Sequence, residues 1–482
     1  MNYQLPEAIK SFRRPIIMYG TGEVAECFFK QLQELSLDHL LAYYVSTYSS
    51  GSELKGRRII PIDDVGQLSN KGDYSFLIAS YGSSYEMKTN LCTFDVPSQN
   101  IFIPDSHDMP QDNNGRFWPK LNGAVNKICF YPNVLDEDVI NDLHNRIGWY
   151  IPDSGRVTVS ILSDNDSPNS TRAVLDEVDL ILVWDQNYLY DPEVLKRQNK
   201  VASVDPRYIP IKDCIVYSRI HYWTLSAEER AQGRKRSISN FSKLRKKHEG
   251  KKRAYIFGTG PSLEEAYKYT FSSDSIKVIC NKIINNKKLL DHVKPDVLVF
   301  SDPLFFSYSD FGKEYRKQVE EVVEQMGVFI VVPEQSLALL LAHSPQLARK
   351  AIGLTVHDND YEFPSEWNLA VKETGNVVTR LGIPLASKLA KEICLIGCDG
   401  AAKTNSQTWE HSHTLHYDEL KLSAYEAHPG MFEGYSLPEY YVKHCEHMRR
   451  LIEYGESLGI KYYSLTPSYI PALEARYSFE GV

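Results

Sequence analysis

Short apolar runs recur along the chain, each closed by a glycine, proline or polar residue, and their spacing predicts strands alternating with helices. Ile16-Ile17-Met18-Tyr19 reads as a buried strand leading through Gly20-Thr21-Gly22-Glu23-Val24-Ala25 into a helix that ends near Leu35. Leu40 to Ser46, Arg58 to Pro61, Phe76 to Ser80 and Ile101 to Ile103 continue the alternation. This predicts a small Rossmann-like domain over residues 1–105, a parallel sheet with helices on both faces. Residues 106–122, rich in Asp, Asn and Pro, read as a linker. A second α/β domain is expected over 123–229, with strands from Val157 to Leu162, Val178 to Trp184 and Val201 to Val204. Each runs into a polar turn, Ser163-Asp164, Asp185-Gln186 or Asp205-Pro206, which either holds a ligand or caps the next helix.

From Arg230 to Arg253 eleven basic residues face a single acid, Glu249. Residues 230–252 therefore read as a basic linker, or as a stripe attracted to anionic lipid headgroups or acidic glycans. The last domain, 253–482, opens on Ala254-Tyr255-Ile256-Phe257, a buried strand running into Gly258-Thr259-Gly260-Pro261-Ser262 and a helix starting at Glu264-Glu265. Glycines allow a tight turn and close approach to an anion, Ser262 can cap the helix, and its first N–H groups favour a phosphate. The third glycine of a dinucleotide fingerprint is missing, which counts against NAD here.

Two further strands end in Cys280-Asn281 and Ser301-Asp302-Pro303, and in a parallel sheet these ends lie beside the Gly258 loop. Asn281 offers a donor and an acceptor to a base or ribose, and Asp302 suits ribose or sugar hydroxyls. The alternative is that both merely terminate strands. Glu373-Thr374-Gly375-Asn376 opens another helix; Thr374 is expected to cap it, leaving a second anion-favouring N-terminus. Cys394 and Cys398 flank a strand that ends at Asp399-Gly400, without a partner pair to complete a metal site. Beyond it, six of the fourteen histidines fall within 37 residues: His411, His413, His416, His428, His444 and His447. They suit a general base or a phosphate-binding imidazole better than zinc, with surface histidines as the remaining alternative.

At 482 residues, with 43% hydrophobic and 24% charged residues, the chain has material for about three domains and is not broadly disordered. A net charge of −8 argues against a general nucleic-acid binder. Eight scattered cysteines fit a reducing compartment, the N-terminus has no secretory pattern, and no apolar run is long enough to span a bilayer. The expected location is the cytoplasm, peripheral to the inner membrane through residues 230–253.

The ordered motifs of residues 252–470 resemble the bacterial sialyltransferases of glycosyltransferase family forty-two. They also resemble the related motility-associated flagellin glycosyltransferases and the pterin diphosphokinase-like domains. The resemblance implies a GT-A-variant-like fold and metal-independent transfer of a nonulosonic acid, a sialic acid-like sugar, from a CMP-activated donor to a glycan or protein hydroxyl. No cofactor is implied; the CMP-sugar is a substrate. Gly258, Gly260, Pro261, Ser262 and Asn281 would hold the nucleotide, with Thr374, Gly375 and Asn376 added from the helix start. The family's residue before Pro-Leu-Phe-Phe is Asn in the sialyltransferases and is Asp302 here, as in the flagellin-type relatives. The catalytic histidine matches His444, with His428 as competitor. Tyr435, Tyr440 and Tyr441 are candidates for carrying phosphate charge. Two other readings stand beside this one. One is a magnesium-dependent diphosphokinase with Asp302 and Asp399 at the metal; the other is a non-catalytic nucleotide-sugar-binding scaffold. Gly20-Thr21-Gly22 either binds a nucleotide or belongs to a structural or vestigial module, the reading taken here, and NAD is not expected because no acidic residue ends the Leu40–Ser46 strand to hold its ribose.

Overall fold

Runs of β-branched and aromatic residues bounded by glycine or polar turns form eighteen strands among the described residues. The structure is a computed structural model. It describes residues 5–6, 9, 13–47, 53–79, 84–102, 119, 121, 123–134, 137–153, 155–163, 167–184, 188, 191–204, 214–401, 411–415 and 437–478. The chain divides into two units. One holds residues 1–120, 180–203 and 429–436; the other holds residues 121–179, 204–428 and 437–482.

In the first unit, β1 (Ile16–Tyr19), β2 (Leu41–Ser46), β3 (Glu53–Leu54), β4 (Arg57–Pro61), β5 (Ser75–Ile78) and β6 (Ile101–Phe102) form a sheet in the order β3-β4-β2-β1-β5-β6. It is parallel apart from the β3–β4 pair. Alternation along β1 builds a core on each face. Ile16 and Met18 pack with Phe28 and Leu32 of the helix Glu23–Glu34, whereas Ile17 and Tyr19 pack with Val65 and Leu91. The expected parallel sheet with helices on both faces is therefore present here. Later in the chain, β7 (Lys127–Val134) pairs in parallel with β8 (Thr158–Ser163), and β9 (Leu180–Val183) with β10 (Val201–Ser203).

The second unit is built on an eight-stranded parallel sheet. Its strands are β11 (Arg253–Phe257), β12 (Ser275–Cys280), β13 (Val297–Val299), β14 (Phe329–Pro333), β15 (Ala351–His357), β16 (Ala370–Lys372), β17 (Glu392–Ile396) and β18 (Lys461–Ser464). Their order is β16-β15-β14-β13-β12-β11-β17-β18. Strands β12, β13, β14 and β17 are almost wholly buried, as expected where helices cover both faces of a parallel sheet. The chain fills the sheet outward from β11 in one direction and then returns to place β17 on the other side. The ends of β11 and β17 thus flank the point where the winding reverses, the usual ligand crevice of open α/β sheets.

The basic stretch that read as a linker is a packed element of this unit: the helix Ala227–Lys247. Ser226 and Glu229 close a reciprocal capping box at its start. One face is buried through Ser237, Asn240, Phe241 and Leu244. Ser237 Oγ accepts the Gly353 N–H at 3.0 Å, and Asn240 Nδ2 donates to the carbonyls of Ala348 and Ala351 at 2.9 and 2.8 Å.

Candidate functional site

The Gly258 loop does cradle a carboxylate, and that carboxylate belongs to the chain itself. Gly258 and Gly260 donate their N–H groups to the carbonyls of Ile396 and Gly397 at 2.8 and 2.9 Å, tying the β11 turn to the β17 turn. A methyl group on Gly260 would overlap Asp399 Oδ2, and one on Gly258 would overlap the Gly397 carbonyl. The Ser262 N–H, expected to face a phosphate, donates to Asp399 Oδ1 and Oδ2 at 3.1 and 3.3 Å. Burial raises the Asp399 carboxyl pKa, with the Ser262 N–H working in the opposite direction. Ser262 is not the cap: Gly260 holds that position without a side-chain bond, and Pro261 leads a 3-10 helix, Pro261–Lys268, in place of the expected helix at Glu264. The loop also anchors a later segment. Thr259 Oγ1 lies 3.0 Å from His411 Nδ1, and Thr259 O accepts the Ser412 N–H at 2.9 Å. Glu264 takes both the Ser412 and Thr414 hydroxyls.

On the neighbouring strand ends, Asn281 is buried in a left-handed conformation with φ 49°. Its Nδ2 donates to Asp302 Oδ2 at 3.3 Å, and its main-chain carbonyl accepts the Tyr315 hydroxyl at 3.1 Å. Asn281 Oδ1 and, one strand further, Ser301 Oγ are buried without a hydrogen-bond partner. Leaving such an atom unpaired costs about 1–3 kcal/mol, so each marks a place for a ligand or an ordered water.

The second helix start is likewise filled from within. Glu373 Oε1 accepts from the Gly375 N–H at 2.7 Å and from Arg380 Nε at 2.8 Å. Burial would raise this carboxyl, but the Arg380 guanidinium and the Gly375 N–H outweigh it and hold the pKa below the usual range. Asn376, not Thr374, is the cap: its Oδ1 accepts the Val378 N–H at 2.9 Å, while Thr374 Oγ1 pairs with Thr379 Oγ1 at 2.8 Å inside the fold. The helix begins with a π turn, Val378–Gly382, and continues as Ile383–Leu389. Gly375 has φ 74° and carries the Tyr440 ring, whose Cε2 would stand 3.0 Å from a methyl group there.

Tyr440, Tyr441 and His444 lie on the helix Leu437–Ser457. The His444 ring runs parallel to that of Tyr440, with centroids 6.4 Å apart. Burial, with His447 nearby, pushes the His444 pKa down to about 4, so the imidazole is neutral at physiological pH; its Nδ1 has no partner. Neighbouring His447 is engaged, with Nδ1 2.8 Å from the Tyr361 hydroxyl. Tyr441 is directed elsewhere, donating to the Tyr469 carbonyl at 3.1 Å beside Gly400. Burial opposes the charge of Arg380, but the Glu373 carboxylate, with Asp302 adding to the field, outweighs it and holds the pKa above the usual range. Arg380 thus lies in the field of Asp302, the partner of Asn281, as well as that of Glu373 at the Gly375 turn.

The expected residues fall into two groups. Gly258, Gly260, Pro261, Ser262 and Asp399 close the β11–β17 crossing, while Asn281, Asp302, Thr374, Gly375, Asn376, Tyr440 and His444 gather around Arg380 and the Gly375 turn. Ser301, Glu373 and Arg380 belong to the second group and were not singled out from sequence. The only sequence trace of the ion pair is two opposite charges seven residues apart around a Thr-Gly-Asn turn. His416, His428 and Tyr435 lie outside the described residues. Burial pushes the Cys394 and Cys398 thiols up to about 12, and no group of three or more metal-ligating side chains occurs among the described residues. Nor is any helix among them long and apolar enough to cross a membrane.

No curated protein is similar in sequence at a significant level. Similar solved structures include the sialyltransferase CstII from Campylobacter jejuni in complex with the substrate analogue cytidine-5'-monophosphate. It is 15% identical, with 46% of this chain and 86% of that chain covered and a TM-score of 0.27. The same enzyme in complex with CMP-3FNeuAc is 15% identical, with 46% and 88% covered and a TM-score of 0.26. Residues 228–405 match the family model described as 6-hydroxymethylpterin diphosphokinase MptE-like. That stretch takes in strands β11 to β17 of the main sheet.

Proposed function

We propose that the C-terminal half is a transferase that binds a CMP-activated nonulosonic acid and passes the sugar to a glycan or protein hydroxyl without a metal. One observation carries this reading: Asn281 Oδ1 and Ser301 Oγ stand buried and unpaired on adjacent strand ends, beside Asp302. They are neutral hydrogen-bonding atoms, suited to a base and ribose rather than to a run of phosphates. In the reaction the acceptor oxygen attacks the anomeric carbon. The bond from that carbon to the CMP phosphate oxygen breaks, and its electron pair leaves with CMP. His444, neutral and with Nδ1 unpaired, takes the acceptor proton. Both helix starts are occupied by Asp399 and Glu373, so the departing phosphate charge falls to Tyr440 and the adjacent Arg380.

The family match favours a second reading, magnesium-dependent diphosphoryl transfer with Asp302 and Asp399 at the metal. A thermal-shift series with CMP, CDP, UDP, ADP, NAD and magnesium-ATP separates the two. CMP should raise the melting temperature of the wild type, EDTA should leave that shift intact, and Asn281→Ala should abolish it. A shift with magnesium-ATP alone, lost on chelation, overturns the sugar-transfer reading in favour of the second.

A further inference from the structure

The helix Ala227–Lys247 turns its buried face to β15 and leaves the opposite face to solvent. Residues Gln232, Lys235, Arg236, Ser239, Lys243, Lys246 and Lys247 fall within about a third of the helix circumference at 3.6 residues per turn. That face holds five cations and no acid from 232 onward. Lys247 reaches Asp296 at 3.3 Å, and Lys243 donates to Asn240 Oδ1 at 3.2 Å. Lys235, Arg236 and Lys246 have no acidic partner among the described residues. Lys350 adds to the same field: burial, with Lys247 and Lys243 nearby, lowers its ammonium pKa.

A second feature sits on the flank of the same helix, outside that third of its circumference. Arg245 Nη1 pairs with Glu366 Oε1 at 2.6 Å, and the next residue, Trp367, is 92% exposed. Six tryptophans occur in the chain, and a fully exposed one beside a cationic helix has no role in the core or in the site. An indole of this kind belongs at a membrane–water boundary, where its ring meets acyl chains and its N–H meets headgroups. The lysine stems can lie along the same surface with their ammonium groups at the phosphates.

We propose that the exposed face of the helix Ala227–Lys247, together with Trp367, is a docking surface for an anionic lipid bilayer. The shape favours a bilayer over nucleic acid. The cations lie along one convex helix, four of the five are lysines rather than bidentate arginines, and the net charge of −8 opposes wrapping by a long polyanion. No helix among the described residues can span a membrane, so the association is with the surface. It would hold the domain where membrane-bound acceptors are presented, but it does not depend on the identity of the nucleotide or sugar.

The test is sedimentation of the full chain with vesicles of one part phosphatidylglycerol to two parts phosphatidylcholine, beside vesicles of phosphatidylcholine alone. The wild type should pellet only with the anionic vesicles and be released when salt shortens the screening length from about 8 Å to about 3 Å. The triple variant Lys235→Ser, Lys243→Ser, Lys246→Ser should lose about a hundredfold in partitioning. Trp367→Ser should lose about three- to tenfold and remove a blue shift of tryptophan emission seen on binding. All four side chains are exposed, so the melting temperature should stay at the wild-type value. Equal pelleting with neutral vesicles, salt-insensitive pelleting, or binding to RNA without binding to vesicles overturns the proposal.

Discussion

The tripeptide Gly-Thr-Gly follows the first strand of both large sheets, yet its glycines serve different ends. In the first unit Gly20 has φ 123°, and a methyl group on it would lie 2.7 Å from the Ala79 carbonyl, so that position needs glycine. Gly22 has open space around it and simply starts the twelve-residue helix Glu23–Glu34. In the second unit both Gly258 and Gly260 are pressed against the turn after β17, and the helix that follows is a 3-10 turn led by Pro261. Among the described residues no side chain caps the helix start of the first copy. The second has already placed a carboxylate, Asp399, on the Ser262 N–H. What a glycine loop does depends on what the sheet brings opposite it, and here one copy closes a loop crossing beside the candidate site.

That contrast can be broken at several points, the largest effect first. Removing one partner of the buried Glu373–Arg380 pair by Glu373→Gln should cost about 3–5 kcal/mol in urea unfolding of the C-terminal unit, because the guanidinium keeps no full counter-charge. A cost below about 1 kcal/mol would show that the pair does not hold the Gly375 turn.

Acid should act on the same unit. His221, which is half-buried, and the buried His248 and His444 each have their pKa pushed from 6.5 to about 4, mainly by desolvation. A histidine lowered in the folded state contributes stability that is fully present above 6.5 and is lost as the pH falls toward 4, since the unfolded chain takes up the proton first. For His444 alone the full span is on the order of 3 kcal/mol. His444→Gln should therefore flatten the fall in melting temperature between those pH values; an unchanged slope would contradict the burial of a neutral imidazole.

The two glycine loops themselves give the next contrast. Gly260→Ala forces a methyl group onto Asp399 and should cost about 2–3 kcal/mol, while Gly22→Ala should cost no more than about 1 kcal/mol. Equal effects would mean that the Asp399 contact does not constrain the loop. The smallest effect is at Asp399. Its carboxyl pKa is raised, so the ionised form is the less stable one in the fold, and that penalty disappears as the pH falls through the carboxylate range. Asp399→Asn, which can still accept the Ser262 N–H, should equal or slightly exceed the wild type at neutral pH, with the difference vanishing in acid.

The strands of the main sheet were legible because each is a short, fully apolar run ended by a turn residue, as in Val278-Ile279-Cys280 before Asn281. The convergence of Asn281 and Asp302 followed from parallel pairing alone, and the two do meet. What fills the two helix starts was not legible. Asp399 lies 137 residues from Ser262 and reaches it only because β17 returns beside β11. Capping by Asn376 rather than Thr374 depends on Thr374 finding Thr379 inside the fold, a local competition that residue preferences do not resolve. The basic stretch was legible as a charged segment but not as a packed helix, since its apolar face is only four residues, two of them polar.

The central claim is that Asn281 and Ser301 hold their unpaired atoms for a cytidine nucleotide, and calorimetric titration of CMP into the full chain tests it most directly. The account predicts measurable binding by the wild type and a loss of about tenfold or more with either Asn281→Ala or Ser301→Ala in chains that still unfold cooperatively. CMP binding that neither substitution weakens, or no binding by a folded wild-type chain, would contradict it.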